Sequence, residues 1–149
     1  MKHFVLVAVG VALNLPVMAA DVDYRKDIRP LWEAKCSTCH GADAPYHGEF
    51  KAEKDKFIAI KKGPRMDTYA DLLYFVTWLD TGALMRRLDN GKSAPDGKVG
   101  NMYQHLGTTD AEREKNLAVF KAWVGEDAWT LKRRDAISKD ELMKIQAKY

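Results

Sequence analysis

The chain has 149 residues, with 24 Lys or Arg, 21 Asp or Glu and a hydrophobic content of 46%. This composition excludes a disordered or collagen-like chain, and the length is sufficient for one domain with its own core. The formal net charge is only +3, and basic residues alternate with acidic ones, so the charge pattern argues against a nucleic-acid partner.

The N-terminal segment, residues 1–20, has the pattern of a secretory signal peptide. A short positive end precedes an uncharged apolar run over residues 4–15, and cleavage is expected after Ala19 or Ala20. Pro16 interrupts the run, whereas an uncleaved membrane anchor needs about 20 apolar residues. We therefore expect a mature protein in the periplasm that touches a membrane only through a partner complex.

Both cysteines of the chain lie in the sequence Cys36-Ser37-Thr38-Cys39-His40. Two intervening residues set the thiols about one helical turn apart, which suits the two vinyl groups of a haem, and the adjacent histidine can then bind iron. The motif predicts one covalent haem c, with Cys36 and Cys39 as thioether links and His40 as the proximal iron ligand.

Two other uses of this motif are open to consideration. A thioredoxin-type dithiol needs a strand before the motif and a βαβ pattern, whereas the flanking sequence is helical. A zinc site needs four ligands, and Cys36, Cys39 and His47 supply only three. Haem attachment is therefore the favoured interpretation.

The rest of the sequence predicts helices and almost no strand. Apolar residues at helical spacing predict a helix over residues 24–39 that delivers the motif, and a loop-like stretch over 41–65 contains a helical turn near Phe57. Gly82 and Gly125 are expected to end two later helices. Capping boxes are predicted before three helices, at Thr68 and Asp71, at Thr109 and Glu112, and at Ser138 and Glu141.

The pattern resembles a monohaem class I c-type cytochrome over roughly residues 24 to 125. The most specific part is the run Asp-Ile-Arg-Pro-Leu at residues 27–31, which leads into the haem motif. The resemblance implies an all-α, class I cytochrome c-like fold of about four helices around one covalently attached haem. It implies a cytochrome domain at 21–128, followed by a helical extension at 129–149. In this fold the N-terminal helix crosses the C-terminal one near Leu117, Phe120 and Trp123.

The sixth iron ligand distinguishes an electron carrier from a protein that binds a small molecule. The resemblance favours Met102, in the loop before the C-terminal helix. Weaker candidates are Met66, Met85, His47 and His105. If the sixth position is open, Tyr103 and His105 are candidates to line a polar distal pocket.

Other residues are expected around the haem. Nδ1 of His40 should donate to a backbone carbonyl, but Ala52 stands where the family usually has a proline. Arg86 and Arg87 are candidates to contact the propionates. Basic residues between 51 and 65 are interleaved with acidic ones, which favours a solvated surface over a patch for an acidic redox partner.

These observations predict an electron-transfer protein, not an enzyme. It would carry single electrons on its haem c, either alone or as the haem subunit of a larger oxidoreductase. Its expected partners are redox proteins that are acidic at the docking face. The alternative is a small haem protein with an open sixth iron site that binds or transforms a small molecule.

Overall fold

The computed structural model describes residues 21–149, so the predicted signal peptide lies outside the described residues. Helices and the loops between them make up the described part, which contains no strand, and this confirms the all-α prediction. Its α-helices are α1 Arg29–Lys35, α2 Ser37–His40, α3 His47–Ala52, α4 Lys54–Ala59, α5 Tyr69–Tyr74, α6 Ala83–Leu88, α7 Asp110–Val124 and α8 Lys139–Leu142. A π-helical turn at Tyr24–Ile28 and 3-10 turns at Tyr103–Leu106 and Glu126–Ala128 complete the fold. No helix in this part of the chain is long and apolar enough to cross a membrane.

The predicted helix over residues 24–39 is divided into three pieces. Asp23 caps the π-helical turn by accepting from the amide of Lys26, and Pro30 lies in the first turn of α1, where its missing N–H is tolerated. Cys36 has φ −121°, outside the helical range, so α1 ends there and α2 begins. The haem motif therefore lies on a short turn of its own.

The stretch over residues 41–65 contains two short helices, α3 and α4, instead of the one helical turn expected. Neither helix has a buried residue. The rings of Phe50 and Phe57 stack with their centroids 6.3 Å apart, and the amide of Arg65 donates to the Pro45 carbonyl at 2.8 Å. The segment is thus a hairpin that packs mainly on itself, which explains why it shows no apolar stripe facing the core.

The helix expected to run from Thr68 to Gly82 is shorter than predicted. Thr68 caps it as expected, but α5 ends at Tyr74. The Thr77 hydroxyl donates to the Leu73 carbonyl, which competes with the helical backbone bonds. Gly82, at φ +73°, precedes α6 instead of ending α5, so that prediction is wrong.

The longest helix, α7, packs against the N-terminal turn, as the resemblance implies. Thr109 caps it by accepting from the Glu112 amide, and it ends at Gly125, whose φ of +105° suits glycine. Its buried residues are Leu117, Phe120, Trp123 and Val124. They share one hydrophobic core with the buried residues of α5 and α6.

The segment 129–149 packs on this same core. The capping box of Ser138 and Glu141 is present at α8, as predicted. The chain then returns to the N-terminal turn, where the Lys148 carbonyl accepts from the Tyr24 amide at 2.9 Å and from the Trp123 indole at 2.8 Å. The domain boundary after residue 128 stays a prediction.

Candidate haem site

The attachment motif is held by backbone hydrogen bonds around Cys36. Its carbonyl accepts from the amides of Cys39 at 3.2 Å and of His40 at 3.0 Å, and its own amide donates to the Trp32 carbonyl at 2.8 Å. The two thiols are free and partly buried. They are therefore one turn apart on a fixed backbone, which is the arrangement that covalent attachment of a haem requires.

The His40 ring is fixed by a residue 24 positions later in the chain. Nδ1 of His40 donates to the Pro64 carbonyl at 2.7 Å. Burial lowers the pKa of His40, the bond to Pro64 opposes this, and nearby His105 lowers it further. A neutral ring with Nδ1 occupied leaves Nε2 as the nitrogen that can bind iron. The predicted bond to a backbone carbonyl is present, and its acceptor comes from Pro64 instead of the missing family proline.

Gly63 packs directly against the His40 ring. A Cβ atom added at this position would overlap the Cε1 atom of His40. The amide of Gly63 also donates to the Cys39 carbonyl at 2.9 Å, and the Met66 amide donates to the His40 carbonyl at 2.9 Å. The chain at 63–66 therefore runs alongside the motif and holds the imidazole from one side. We call residues 36–66 the attachment segment.

The structure opposes the dithiol alternative. Burial raises the pKa of the Cys36 thiol to about 12, and Cys39 adds to the effect. A redox dithiol depends on a lowered thiol pKa, and the described residues contain no strand from which a βαβ unit could be built. The same part of the chain shows no group of three or more metal-binding side chains, and His47 packs against the rings of Tyr74 and Phe75.

Two buried side-chain nitrogens have no partner in the described residues, and they are Nδ1 of His47 and the indole nitrogen of Trp32. The indole nitrogen of Trp32, four residues before Cys36, is buried without a hydrogen bond. Buried polar atoms in native structures nearly always have partners, so this nitrogen indicates a group that the described chain does not supply. Together with the spaced thiols and the fixed His40, this observation shows that the residues present fit a bound haem.

The predicted sixth ligand, Met102, ends a loop that begins at Asp89, and we call residues 89–102 the ligand loop. Met102 is partly buried against the core, and its amide donates to the Arg87 carbonyl at 2.9 Å. His105, three residues further on, is exposed and lies close enough to His40 to affect its pKa. The 3-10 turn that follows the ligand loop, Tyr103–Leu106, therefore lies near His40.

The other methionine candidates occupy different surroundings. Met85 is fully buried in α6, and Met66 is joined through its backbone to His40 on the attachment side. Tyr103, proposed for a distal pocket, donates its hydroxyl to Glu114 at 2.6 Å. The identity of the sixth ligand stays a prediction.

Arg86 and Arg87, the candidate propionate contacts, lie at an open cavity of about 610 Å³ between the ligand loop and the C-terminal segment. The Arg86 guanidinium bonds to Asp80 and to the carbonyls of Thr81, Leu131 and Lys132. Arg87 is exposed and donates to the Asn101 side chain at 2.8 Å. Arg86 thus has a structural role here, and contact with a propionate stays a prediction for both.

Sequence reasoning missed several residues that position the site. Pro64 and Gly63 were interpreted only as loop residues, since nothing local relates them to a histidine 24 positions earlier. Asp89 and Trp129, whose side chains bond to each other at 2.9 Å, were not identified either. The Gly-Pro pair after a histidine-containing motif was the one available signal, because such pairs mark a turn with a constrained carbonyl.

Comparison with known proteins agrees with this site. A family model described as PccH cytochrome c matches residues 23–149. Among solved structures, the chain is similar to the monohaem cytochrome PccH from Geobacter sulfurreducens, with 56% sequence identity and a TM-score of 0.80. That match covers 86% of this chain and 98% of the other. No curated protein matches the chain.

Proposed function

We propose, because the chain belongs to the PccH cytochrome c family, that it carries single electrons between redox proteins of the periplasm. Membership makes it an electron-transfer haem protein with one covalently attached haem c. When bound, the haem supplies a one-electron iron couple. The periplasmic location is supported by the signal-peptide pattern at residues 1–20.

The observation that carries this proposal is the fixed imidazole of His40. Pro64 holds Nδ1, Gly63 packs on the ring face, and burial keeps the ring neutral. A rigid ligand changes little between oxidation states, so little reorganisation accompanies electron transfer. The residues around the motif hold and orient the group and exclude water, without a proton-transfer or nucleophilic step.

We further propose Met102 as the sixth ligand. Met66 is tied to the His40 side and Met85 is enclosed in the core, whereas Met102 ends a loop whose continuation approaches His40. A thioether favours ferrous iron and raises the reduction potential, which suits a carrier. His105 is the second candidate ligand, because it lies in the 3-10 turn Tyr103–Leu106 directly after Met102.

Spectroscopy of the full-length mature holoprotein tests the ligand and the carrier role together. We expect a low-spin spectrum with the methionine-to-iron band in the oxidised form, and slow or absent carbon monoxide binding in the reduced form. Met102→Ala should abolish the band. Met143→Ala is the matched control, because this methionine is 74% exposed and lies in the C-terminal segment.

Three results would contradict the proposal. A band that persists in Met102→Ala but disappears in Met66→Ala or Met85→Ala would reassign the ligand and preserve the carrier, and a low-spin wild-type spectrum without the band would favour His105 as the ligand. A high-spin wild-type spectrum that shifts immediately with carbon monoxide would favour the open-iron alternative. Cell fractionation, with N-terminal sequencing of the mature chain, tests the periplasmic location and the cleavage after Ala19 or Ala20.

The partner contact is proposed at the α3–α4 hairpin, residues 47–62. Ile58 and Ile60 are more than half exposed there and lie among exposed lysines, including Lys54 and Lys61. The residue that follows the hairpin, Gly63, packs on His40, and its amide donates to the Cys39 carbonyl at 2.9 Å. An apolar centre in a hairpin that carries five lysines and three acidic residues has a net positive charge, which fits a protein with an acidic rim around its redox group.

Electron transfer from a small acidic flavodoxin, followed by stopped flow, tests this contact. Charge reversal at Lys54 and Lys61 should slow the second-order rate about tenfold at low ionic strength, and added salt should remove the difference. Lys115→Glu, on the exposed side of α7, is the control. Equal slowing in Lys115→Glu would show that the overall charge of the protein, and not the hairpin, attracts the flavodoxin.

A further inference from the structure

A buried carboxylate lies at the first residue of the ligand loop. Asp89 follows α6 directly and is only 1% exposed, although its side chain is ionisable. Such a group remains inside a protein only when several donors satisfy it. Its partners therefore indicate what it holds in place.

Asp89 binds both ends of the ligand loop. Its side chain accepts from the amide of Gly91 at 2.8 Å and from that of Ser93 at 3.2 Å, where the loop begins. Its backbone carbonyl accepts from the Gly100 amide at 2.7 Å, two residues before Met102. Burial alone would raise the pKa of Asp89, but these donors and Trp129 hold it below its ordinary value. The carboxylate thus stays charged and bonded.

The loop end fits closely against α6. A Cβ added at Gly100 would overlap the carbonyl oxygen of Arg87, so the loop backbone lies directly on the helix end. The same Arg87 carbonyl accepts from the Met102 amide, and the Arg87 guanidinium donates to the Asn101 side chain. Movement of Met102 away from this position requires the loop to leave α6.

The last partner of Asp89 comes from the C-terminal segment. The Trp129 indole donates to the second carboxylate oxygen at 2.9 Å, across 40 residues of sequence. Arg86 of α6 donates to the carbonyls of Leu131 and Lys132, and these two bonds fix residues 129–132 beside α6. The C-terminal segment thus orients the carboxylate that holds the start of the loop, and the backbone carbonyl of the same residue holds the loop end at Gly100.

We infer that Asp89 and Trp129 form a clasp that positions Met102 on the haem iron, so that residues 129–132 control how readily the sixth iron position opens. This inference rests on the proposed role of Met102 as ligand. Both members are positioning residues, since they act through the ligand loop and not on iron. Because a bond to a charged acceptor is stronger than a neutral one, its loss should increase loop opening measurably.

Carbon monoxide binding to the reduced full-length holoprotein tests the clasp, because the gas binds only after the sixth ligand leaves. Trp129→Phe keeps an aromatic ring and removes the donor, and we expect binding about tenfold faster than in wild type. Asp89→Asn should act in the same direction. Tyr69→Phe is the matched control, since it removes a different bond to the C-terminal segment, from the Tyr69 hydroxyl to the Ala147 carbonyl at 2.7 Å.

Faster binding in Trp129→Phe, with Tyr69→Phe close to wild type, would support the clasp. Equal rates of carbon monoxide binding in Trp129→Phe and Tyr69→Phe would overturn the clasp. The bond from Trp129 to Asp89 would then have no effect beyond that of any bond to the C-terminal segment. Trp129→Phe decides the question if Asp89→Asn does not fold.

Hydrogen exchange separates this inference from the ligand assignment. If wild-type iron proves to lack a methionine ligand, the proposal for Met102 fails, but the clasp still predicts faster exchange at the amides of Gly91, Ser93 and Gly100 in Trp129→Phe. Unchanged exchange at these amides would overturn the clasp whichever ligand binds iron.

Discussion

The attachment segment and the ligand loop flank the candidate haem site and are built in different ways. In the attachment segment, the bonds that fix His40 come from residues 63–66, and the segment closes on itself within about thirty residues. The ligand loop closes on the backbone carbonyl of Asp89, and the carboxylate of the same residue accepts from Trp129 of the C-terminal segment. The attachment segment, on the side of His40, is therefore held by local bonds, whereas the ligand loop, on the side of the proposed ligand Met102, depends on a contact from the C-terminal segment. Local bonds survive partial unfolding better than long-range ones, so the two sides should respond differently to mutation.

The largest effect is expected at the two cysteines that are predicted to attach the haem covalently. In the double variant Cys36→Ala and Cys39→Ala, both thioether links are lost, so acidified organic solvent should extract all of the haem. Extraction followed by absorption spectroscopy measures this directly. Thr38→Ala, an exposed position between the cysteines, should leave the haem attached. Haem that resists extraction from the double variant would contradict the attachment assignment.

The next effect is expected at the glycine that packs on the imidazole. Gly63→Ala places a methyl group where the His40 ring lies, and such overpacking costs about 1–3 kcal/mol of unfolding free energy. Gly48→Ala is the matched control, because nothing lies within 4 Å of its added Cβ. Since Gly48 is inside α3, alanine there should stabilise by about 0.5–1 kcal/mol. Denaturant unfolding of both holoproteins measures the difference, and equal stabilities would mean that the ring moves away freely.

The contrast between local and long-range contacts explains how much of the fold and of the candidate site the sequence could predict. Cys36, Cys39 and His40 were identifiable because the motif is contiguous and its chemistry requires that spacing. The caps at Thr68, Thr109 and Ser138 were equally local and are present. The α3–α4 hairpin and the early end of α5 were missed, because short helices without a core-facing stripe give little periodic signal.

Pairings between distant residues were beyond the reach of sequence patterns. Pro64 contacts His40 across 24 residues and Trp129 contacts Asp89 across 40, and no local pattern encodes either pair. The role of residues 129–149 was underestimated for the same reason. Their apolar residues looked like those of an appended helix, whereas Ala147 is buried in the common core.

A smaller effect is expected at the start of α7, which follows the ligand loop. Thr109→Ala removes the hydroxyl that accepts from the Glu112 amide, and loss of such a cap costs about 1 kcal/mol. Ser138→Ala removes the equivalent cap from α8, a helix of only four residues. If the ligand loop depends on long-range order, Thr109→Ala should also speed carbon monoxide binding while Ser138→Ala does not. Parallel unfolding and binding measurements check this, and equal binding rates would separate α7 from the loop.

The smallest effect concerns an ion pair between α1, which precedes the attachment segment, and α7, which follows the ligand loop. Lys35 of α1 bonds to Glu112 of α7, and this bond, with further donors from Thr108, lowers the pKa of Glu112 to about 2. The folded state therefore binds this proton less readily than the unfolded state, in which the pKa of Glu112 is near its ordinary value of 4.5. The stabilisation is complete above about pH 4.5 and disappears as the pH falls toward 2. Glu112→Gln should flatten the acid limb of a stability–pH curve, and Lys35→Met should flatten it partly, because the Thr108 donors remain. An unchanged limb in both variants would show that α1 and α7 are not coupled through this pair.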